Sequence, residues 1–451
     1  MHKLLIANRG EIAVRIICTA RRLGIETVLV CSEADADSVA ARQADESIVI
    51  GPPPAQASYL DQDAVIRAAL ATGADAVHPG FGFLSENATF AQRVIDAGLT
   101  WVGPAPETIR LMGDKVAARA AARAAGVPIL AGSDGPLDPA DDPAELAASI
   151  GYPVVIKASA GGGGRGIRVV VDPSELASTL DLARAEAKSS FGDATVYLER
   201  LVPQARHVEV QLLGDGTSVI HLGDRDCSMQ RRAQKVIEEA PAPDLPAAVR
   251  AQIQESSVEL AKACHYVGVG TVEFLYDADR EEAAFIEMNT RLQVEHAVTE
   301  MVTGIDLVAE QLRVAQGEPL TLRQADVHLS GHAFECRINA EDPARGFFPS
   351  PGTITTLRWP QTPGVRIDTG VESGSSVAPY YDSMIAKLIV HGADREQAIA
   401  RMRAALAAVR IEGVATTVPL LRDLFDRPEL TLMEHYTTFI ETAPGVLRES
   451  A

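Results

Sequence analysis

YPVVIKASAGGGGRGIRVVV, residues 152–171, joins two β-rich runs through Gly161-Gly162-Gly163-Gly164-Arg165-Gly166. Glycines leave backbone N–H groups open to phosphate oxygens and let a loop move as a lid. A flexible hairpin tip is the plain alternative, but four successive glycines carry a high unfolded-state entropy for a simple turn. The segment is not a P-loop. There Lys-Ser/Thr follows the glycines and opens a helix, whereas here Lys157 precedes them and a strand follows.

Toward the N-terminus, strand-like runs (LLIA, TVLVCS, SIVI, DAVH, WVG) alternate with helical patterns from residue 3 to about 103, predicting a parallel sheet covered by helices. The first turn reads Asn8-Arg9-Gly10-Glu11 and lacks the three-glycine dinucleotide fingerprint, so this Rossmann-like pattern does not imply NAD. A helix over 114–126 carries Lys115, which alone reads as a surface lysine. GSDGPLDPADDP (132–143) then suits a hinge. Beyond Glu199 strands and hairpins alternate with one long helix, about 245–266. From residue 330 short strands dominate until two closing helices, predicting a third, mixed domain.

The 451 residues, 47% of them hydrophobic, suffice for two to four globular domains. The N-terminal apolar run, residues 4–7, is too short for a signal-peptide core or a membrane span. Five scattered cysteines without a CxxC pair point to neither disulfides nor zinc, which suits a reducing cytoplasm. A net charge of −20 argues against nucleic acid as partner.

Residues 269–289 read as a hairpin with a polar turn over 277–282. A turn centred near Arg280 sets Glu273 opposite Glu287, two carboxylates that repel unless a cation lies between them. Mg²⁺ suits hard oxygen ligands, and Asn289 shares the Glu287 face by the two-residue period. A solvated acidic face is the alternative, disfavoured by the apolar neighbours Phe274, Leu275, Phe285 and Ile286. Next comes TRLQVEH (290–296); in an extended backbone Arg291, Gln293 and Glu295 point one way, an oxyanion-binding cation beside an amide and a possible base. Taken alone, an ordinary Arg–Glu ion pair explains it as well. His207, Glu209 and Gln211 share another strand face, where a structural histidine and a ligand contact remain equally open.

Taken together, IANRGEIAVRI (6–16), HPGFGFLSEN (78–87), GDKVAAR (113–119), KASAGGGGRGIRVV (157–170), DRDCSMQRRAQKVIEEAPAP (224–243), FIEMNTRLQVEH (285–296), GHAFECRINAEDP (331–343) and PYYDSMIAKLIV (379–390) resemble the biotin carboxylase family of ATP-grasp enzymes, from residue 3 to about 440. The resemblance implies an α/β and α+β multidomain fold. Its parts are a Rossmann-like N-terminal domain (1–113), an ATP-grasp domain (114–328) with a mobile glycine-rich lid at about 131–203, and a mixed C-terminal domain (329–451).

It also implies ATP- and bicarbonate-dependent carboxylation of biotin through carboxyphosphate. ATP contacts fall on Lys115, Lys157, Gly163, Gly164, Glu199, Val202, His207, Gln230, Glu273, Leu275 and Glu287. Mg²⁺ or Mn²⁺ is held by Glu273 and Glu287 with Asn289 beside them. Bicarbonate meets Lys235, Arg291, Gln293 and Val294; Glu295 is the base and Arg337 contacts biotin. Three departures stand out: Ala233 where the family shows histidine, Ala160 for a fifth glycine, and Phe81 for tyrosine.

The expected partners are a biotin carboxyl carrier protein and carboxyltransferase subunits, with a homodimer of this chain. Biotin is expected on the carrier, because none of the eight methionines precedes a lysine and little chain follows the last helical pattern. The resemblance leaves open service to acetyl-CoA, propionyl-CoA, pyruvate or urea carboxylase systems, with another ATP-grasp ligase as the remote alternative.

Overall fold

The computed structural model describes residues 1–133, 135–137, 142–159 and 166–446. The first sheet holds β1 (Lys3–Ile6), β2 (Glu26–Ser32), β3 (Glu46–Gly51), β4 (Ala76–His78) and β5 (Thr100–Trp101), all parallel, in the order β3-β2-β1-β4-β5. Parallel strands covered on both faces read as near-continuous apolar runs, as Leu4–Ile6 of β1 and Val28–Cys31 of β2 do. The alternation read from the sequence therefore gives the expected layers.

β6 (Val154–Ala158), β7 (Ile167–Val170) and β8 (Val196–Arg200) form a small antiparallel sheet, ordered β7-β6-β8. Helices Pro143–Ile150 and Leu176–Phe191 complete its own apolar core around Ile156 and Leu198. The glycine run linking β6 to β7, with Ala160, Gly163 and Gly164, lies outside the described residues. So does part of the 132–143 hinge.

An eight-stranded antiparallel sheet carries the rest. It contains β9 (Arg206–Asp215), β10 (Val219–Arg231), β11 (Gln234–Ala240), β12 (Val267–Asp277), β13 (Glu282–Asn289), β14 (His332–Asn339) and the strands Val365–Thr369 and Met384–Gly392. The order is β13-β12-β9-β10-β11-β14, then Met384–Gly392, then Val365–Thr369. The mixed C-terminal region thus shares a sheet with the central one, through β11–β14 pairing. Helix Ala247–Ala263 lies within the helix expected over 245–266, and helices Arg395–Ala408 and Val418–Phe425 close the chain, followed by single turns.

The first sheet docks through helix Gly10–Arg22, whose Ile12, Ile16 and Ile17 share a core with Leu213, Ile220 and Val269 of the large sheet. At the helix start the approach is backbone to backbone: a Cβ on Gly370 would lie 2.6 Å from the Gly10 carbonyl carbon. That contact sets Glu11 beneath the large sheet. Among the described residues no helix is long and apolar enough to cross a membrane.

Candidate active site

The hairpin β12–β13 closes at Asp277↔Glu282, so plain two-residue alternation would set Glu273 opposite Ile286. A bulge there moves the register by one and pairs Glu273 with Glu287 and Phe274 with Phe285. It also reverses the facing of the strand on either side of it, so that Phe285 and Met288 enter the core while Glu287 and Asn289 turn toward the polar side. The facing carboxylates expected from the sequence are present, for a reason that symmetric counting about Arg280 did not contain.

On the neighbouring strand His207, Glu209 and Gln211 share one face, as alternation predicts. All three are buried, and they meet side chains from β10, β11 and β12. Lys235 Nζ, on β11, donates to Glu209 at 2.6 Å, Glu273 at 2.9 Å and Glu295 at 2.5 Å. Arg225, wholly buried on β10, donates to Glu209 at 2.6 Å, Gln211 at 2.6 Å and Gln293 at 2.6 Å. Gln293 in turn donates to Glu273 at 2.7 Å. Arg337, on β14, bridges Glu238 at 2.5 Å and Glu295 at 2.9 Å. Three cations therefore hold four buried carboxylates in one connected network.

Electrostatics follow from that wiring. Burial opposes ionisation of Glu295, but Lys235, and then Arg337 and Arg225, outweigh it together with the repulsion from Glu209, and its pKa is lowered. Glu209 and Glu273 are held well below the carboxylate range in the same way, against burial, chiefly by Lys235. Burial alone would lower the pKa of His207; Glu273, 3.2 Å from its Nε2, reverses this and raises it to about 9. Glu287 differs. Burial, then Glu273, raises its pKa, Lys115 opposes this, and among the described residues its carboxylate makes no hydrogen bond or ion pair.

The TRLQVEH segment is not the extended strand its alternation suggested. After β13 the chain bends at Arg291 and turns at Val294–Glu295 into helix His296–Thr303. Arg291 accordingly departs from Glu295 and pairs with Glu86 at 2.8 Å and the Asn289 side-chain oxygen at 2.8 Å. Gln293 and Glu295 do meet at the Lys235–Arg225 cluster. A cavity of about 410 Å³ lies over this region, walled by Lys235, Arg291, Val294 and Arg337 together with Phe81 and Tyr381.

The remaining expected contacts are spread over the small sheet, a neighbouring helix and the strands around His207. Lys157 on β6 donates to Glu199 on β8 at 2.5 Å, and Arg119 pairs with the other Glu199 oxygen. Gln230 bonds His207 Nδ1 at 2.9 Å, and Leu275 pairs with His207 across β9–β12. Val202 follows β8, partly buried, and Lys115 starts helix Lys115–Ala124, capped by Asp114. Ala233 occupies the exposed tip of the β10–β11 turn.

The expected metal trio is brought together only in part. Glu273 and Glu287 face one another, but among the described residues the trios whose ligand atoms lie within 4.8 Å of one another are His207, Glu209 and Glu273, with Lys235 bound to two of them, and Glu209, Cys227 and Glu295. The unpaired, burial-raised Glu287 carboxylate beside Glu273 nevertheless fits a hard divalent cation, which would supply the missing counter-charge. Arg225 and Glu238 were missed by sequence reasoning. Arg225 lies between Asp224 and Asp226 and reads as part of a solvated charge run, yet β10 buries all three.

Comparison with known proteins places the fold in a family. Residues 1–109 match the family model "Biotin carboxylase, N-terminal domain", residues 114–323 "Carbamoyl-phosphate synthase L chain, ATP binding domain", and residues 335–442 "Biotin carboxylase C-terminal domain". The biotin carboxylase of Pseudomonas aeruginosa is 54% identical over 427 residues, 94% of either chain, and biotin carboxylase 1 of Bacillus subtilis 50% identical over 441 residues, 98% of either. Among solved structures, the biotin carboxylase domain dimer of the Hydrogenobacter thermophilus 2-oxoglutarate carboxylase, in complex with MgADP, ADP and bicarbonate, superimposes with a TM-score of 0.91 at 44% identity, covering 100% of this chain and 99% of that one. By its three domain models and its full-length relatives, this chain belongs to the biotin carboxylase family.

Proposed function

We propose that the chain is a biotin carboxylase that cleaves ATP to activate bicarbonate and carboxylates a biotin carried by another protein. The observation that carries this reading is the Lys235 ammonium bridging Glu209, Glu273 and Glu295 at the wall of the cavity, with Arg337 on the far side of Glu295.

Glu295 is ionised and dry, the state a general base needs, but its own cations weaken its basicity. An anionic substrate that draws Lys235 and Arg337 onto itself relaxes that stabilisation. Glu295 then takes the bicarbonate proton as bicarbonate oxygen attacks the γ-phosphorus of ATP, breaking its bond to the bridging oxygen and giving carboxyphosphate and ADP. Lys115, Lys157 and the glycine loop hold phosphates, with Glu199, Val202, Gln230, His207 and Leu275 on the nucleotide side. Mg²⁺ (or Mn²⁺), when bound by Glu273 and Glu287 with Asn289 beside them, neutralises the phosphate charge. Lys235, Arg291, Gln293 and Val294 hold bicarbonate. Carboxyphosphate releases CO₂ and phosphate, the phosphate takes the biotin ring N–H proton, and the freed nitrogen attacks the CO₂ carbon to form the N–C bond of carboxybiotin while Arg337 stabilises the enolate oxygen; losing one such donor costs about 10²–10³ in rate.

In this reading residues 1–113, 114–328 and 329–451 are the working units, with 131–203 as the lid. The partners are a biotin carboxyl carrier protein and a carboxyltransferase, the chain acts as a homodimer, and the compartment is the cytoplasm. ATP turnover measured with and without bicarbonate and free biotin tests the core of it. ADP release that requires bicarbonate and rises with biotin is expected; turnover indifferent to both overturns it.

A further inference from the structure

Beneath the site the large sheet carries a row of buried charges of which the mechanism above uses only Arg337. Glu238 on β11 pairs in register with Glu335 on β14. Two residues on, Arg337 pairs with Lys387 of the strand Met384–Gly392, and Lys387 pairs with Asp368 of the strand Val365–Thr369. Lys387 is fully buried. Its ammonium lies 3.4 Å from Glu11 and 3.7 Å from Asp368, and it donates a 2.7 Å hydrogen bond to the carbonyl oxygen of Val294. Val294 and Glu295 form the turn that leads into helix His296–Thr303. The next cation along, Arg366, grips that helix at Glu300, 2.7 Å away.

From this geometry we infer that Lys387 is a positioning residue for the bicarbonate step, fixing from below the turn that presents Glu295 to the cavity. Stability alone does not account for it. Burying an ammonium carries a desolvation cost of several kcal/mol, whereas an apolar side chain of similar length would fill the space without it. Among the described residues neither Glu11 oxygen has a hydrogen-bond partner, and neither has either oxygen of Glu335, so these two carboxylates beside Lys387 are not there for hydrogen-bond satisfaction. The one short bond Lys387 makes is to the backbone adjoining Glu295. The turn's other bonds run to its own helix and to the Arg225 cluster, whereas the Val294 carbonyl is where Lys387 ties it to the strand below, next to the residue that Lys235 and Arg337 hold.

The inference rests on the role proposed for Glu295, and the test separates the two. Lys387→Met is compared with wild type in bicarbonate-dependent ATP cleavage, with the KM for bicarbonate and for ATP determined separately and thermal unfolding followed with and without MgADP. Because the single variant strands Glu11, the double variant Lys387→Met/Glu11→Gln is measured alongside, against Glu11→Gln. The expected result is a fall of about 10- to 100-fold in kcat/KM for bicarbonate, as for a reacting group displaced by roughly an ångström, with KM for ATP and the MgADP-induced stabilisation retained. A folded variant with wild-type bicarbonate kinetics overturns the inference, and so does an equal loss toward ATP and bicarbonate, the mark of general structural damage. A wild-type enzyme that cleaves no ATP in response to bicarbonate overturns the functional reading itself, and the inference with it.

Discussion

Two walls of the same site use the same residue types in opposite states. On β9, β11 and β12 and in the turn before helix His296–Thr303, Glu209, Glu238, Glu273 and Glu295 each accept a hydrogen bond from Lys235, Arg225 or Arg337. On β13, Glu287 faces Glu273 across the hairpin with no such partner among the described residues. A closed network is organised before any substrate arrives, so its groups can orient and exchange protons without first gathering. An open carboxylate at the edge of that network is costly by itself and favourable only with a cation. In the proposed function this difference suits the closed wall to acid–base work and the open one, at Glu287, to ion binding.

The sharpest way to break that assignment is at the base. Glu295→Gln keeps the shape of the closed wall but removes the proton acceptor. Bicarbonate-dependent ATP cleavage should fall by about 10²–10⁴, while MgADP still raises the unfolding temperature. Near-normal turnover would take Glu295 out of the proposed mechanism.

A second test asks how much charge the layer under the closed wall stores. Burial first, and then repulsion from Asp368, raises the pKa of Glu11 from its ordinary 4.5 to about 7, against the attraction of Lys387 and Arg366. The folded protein therefore keeps a proton on Glu11 that the unfolded chain releases between pH 4.5 and 7. Its contribution to stability is complete below that window and is lost as pH rises through it, with a slope of at most about 1.4 kcal/mol per pH unit. Glu11→Gln should flatten that segment of the curve; parallel unfolding curves for the two proteins across the window would mean that Glu11 is ionised throughout.

At the open wall, Glu287→Gln removes a cation ligand and also the repulsion with Glu273. The variant should need roughly tenfold more Mg²⁺ for half-maximal ATP cleavage, a cost of about 1.4 kcal/mol, and should be no less stable than wild type without the metal. The same Mg²⁺ dependence in both proteins would return Glu287 to a plain solvated carboxylate and erase the contrast between the walls.

How far this contrast was legible beforehand depends on the kind of rule each part obeys. Strand alternation is local, so the shared face of His207, Glu209 and Gln211 could be read directly, as could the parallel first sheet and the paired runs flanking the glycines. The facing of Glu273 and Glu287 came from counting about an assumed centre, and the bulge at Ile286 that produces it has no local signature. The alternation of TRLQVEH misled because the chain turns there to start a helix, sending Arg291 to Glu86 in a different sheet's loop. Arg225 was hidden by its acidic neighbours. Lys387 left a readable trace, a lone charge inside the apolar run MIAKLIV (384–390), since such a lysine must either find buried partners or break the strand.

The smallest expected effect lies at the end of the closed wall, where Ala233 stands and the family resemblance implies a histidine. β10 and β11 join through Arg232 and Ala233, with φ of +48° and +62°, closed by the pair Arg231↔Gln234. Both central residues are left-handed, the geometry of a tight hairpin turn, and alanine is poorly suited to it. Histidine adopts positive φ more readily, so Ala233→His should be accepted by the backbone. The same strand carries Gln230, bonded to His207 on the nucleotide side, so an imidazole at 233 extends that wall. If it regains the contact that the family pattern implies, ATP should bind more tightly by about 0.5–1.5 kcal/mol, the net value of one hydrogen bond. Ala233→Gly is the control: it relieves the turn without adding a donor, and should leave ATP affinity unchanged while altering stability by no more than about 1 kcal/mol. Calorimetric titration of the three proteins decides between two accounts. Tightening in the histidine variant alone assigns the gain to the imidazole, whereas equal tightening in both assigns it to the turn backbone and to the placement of Lys235 two residues away.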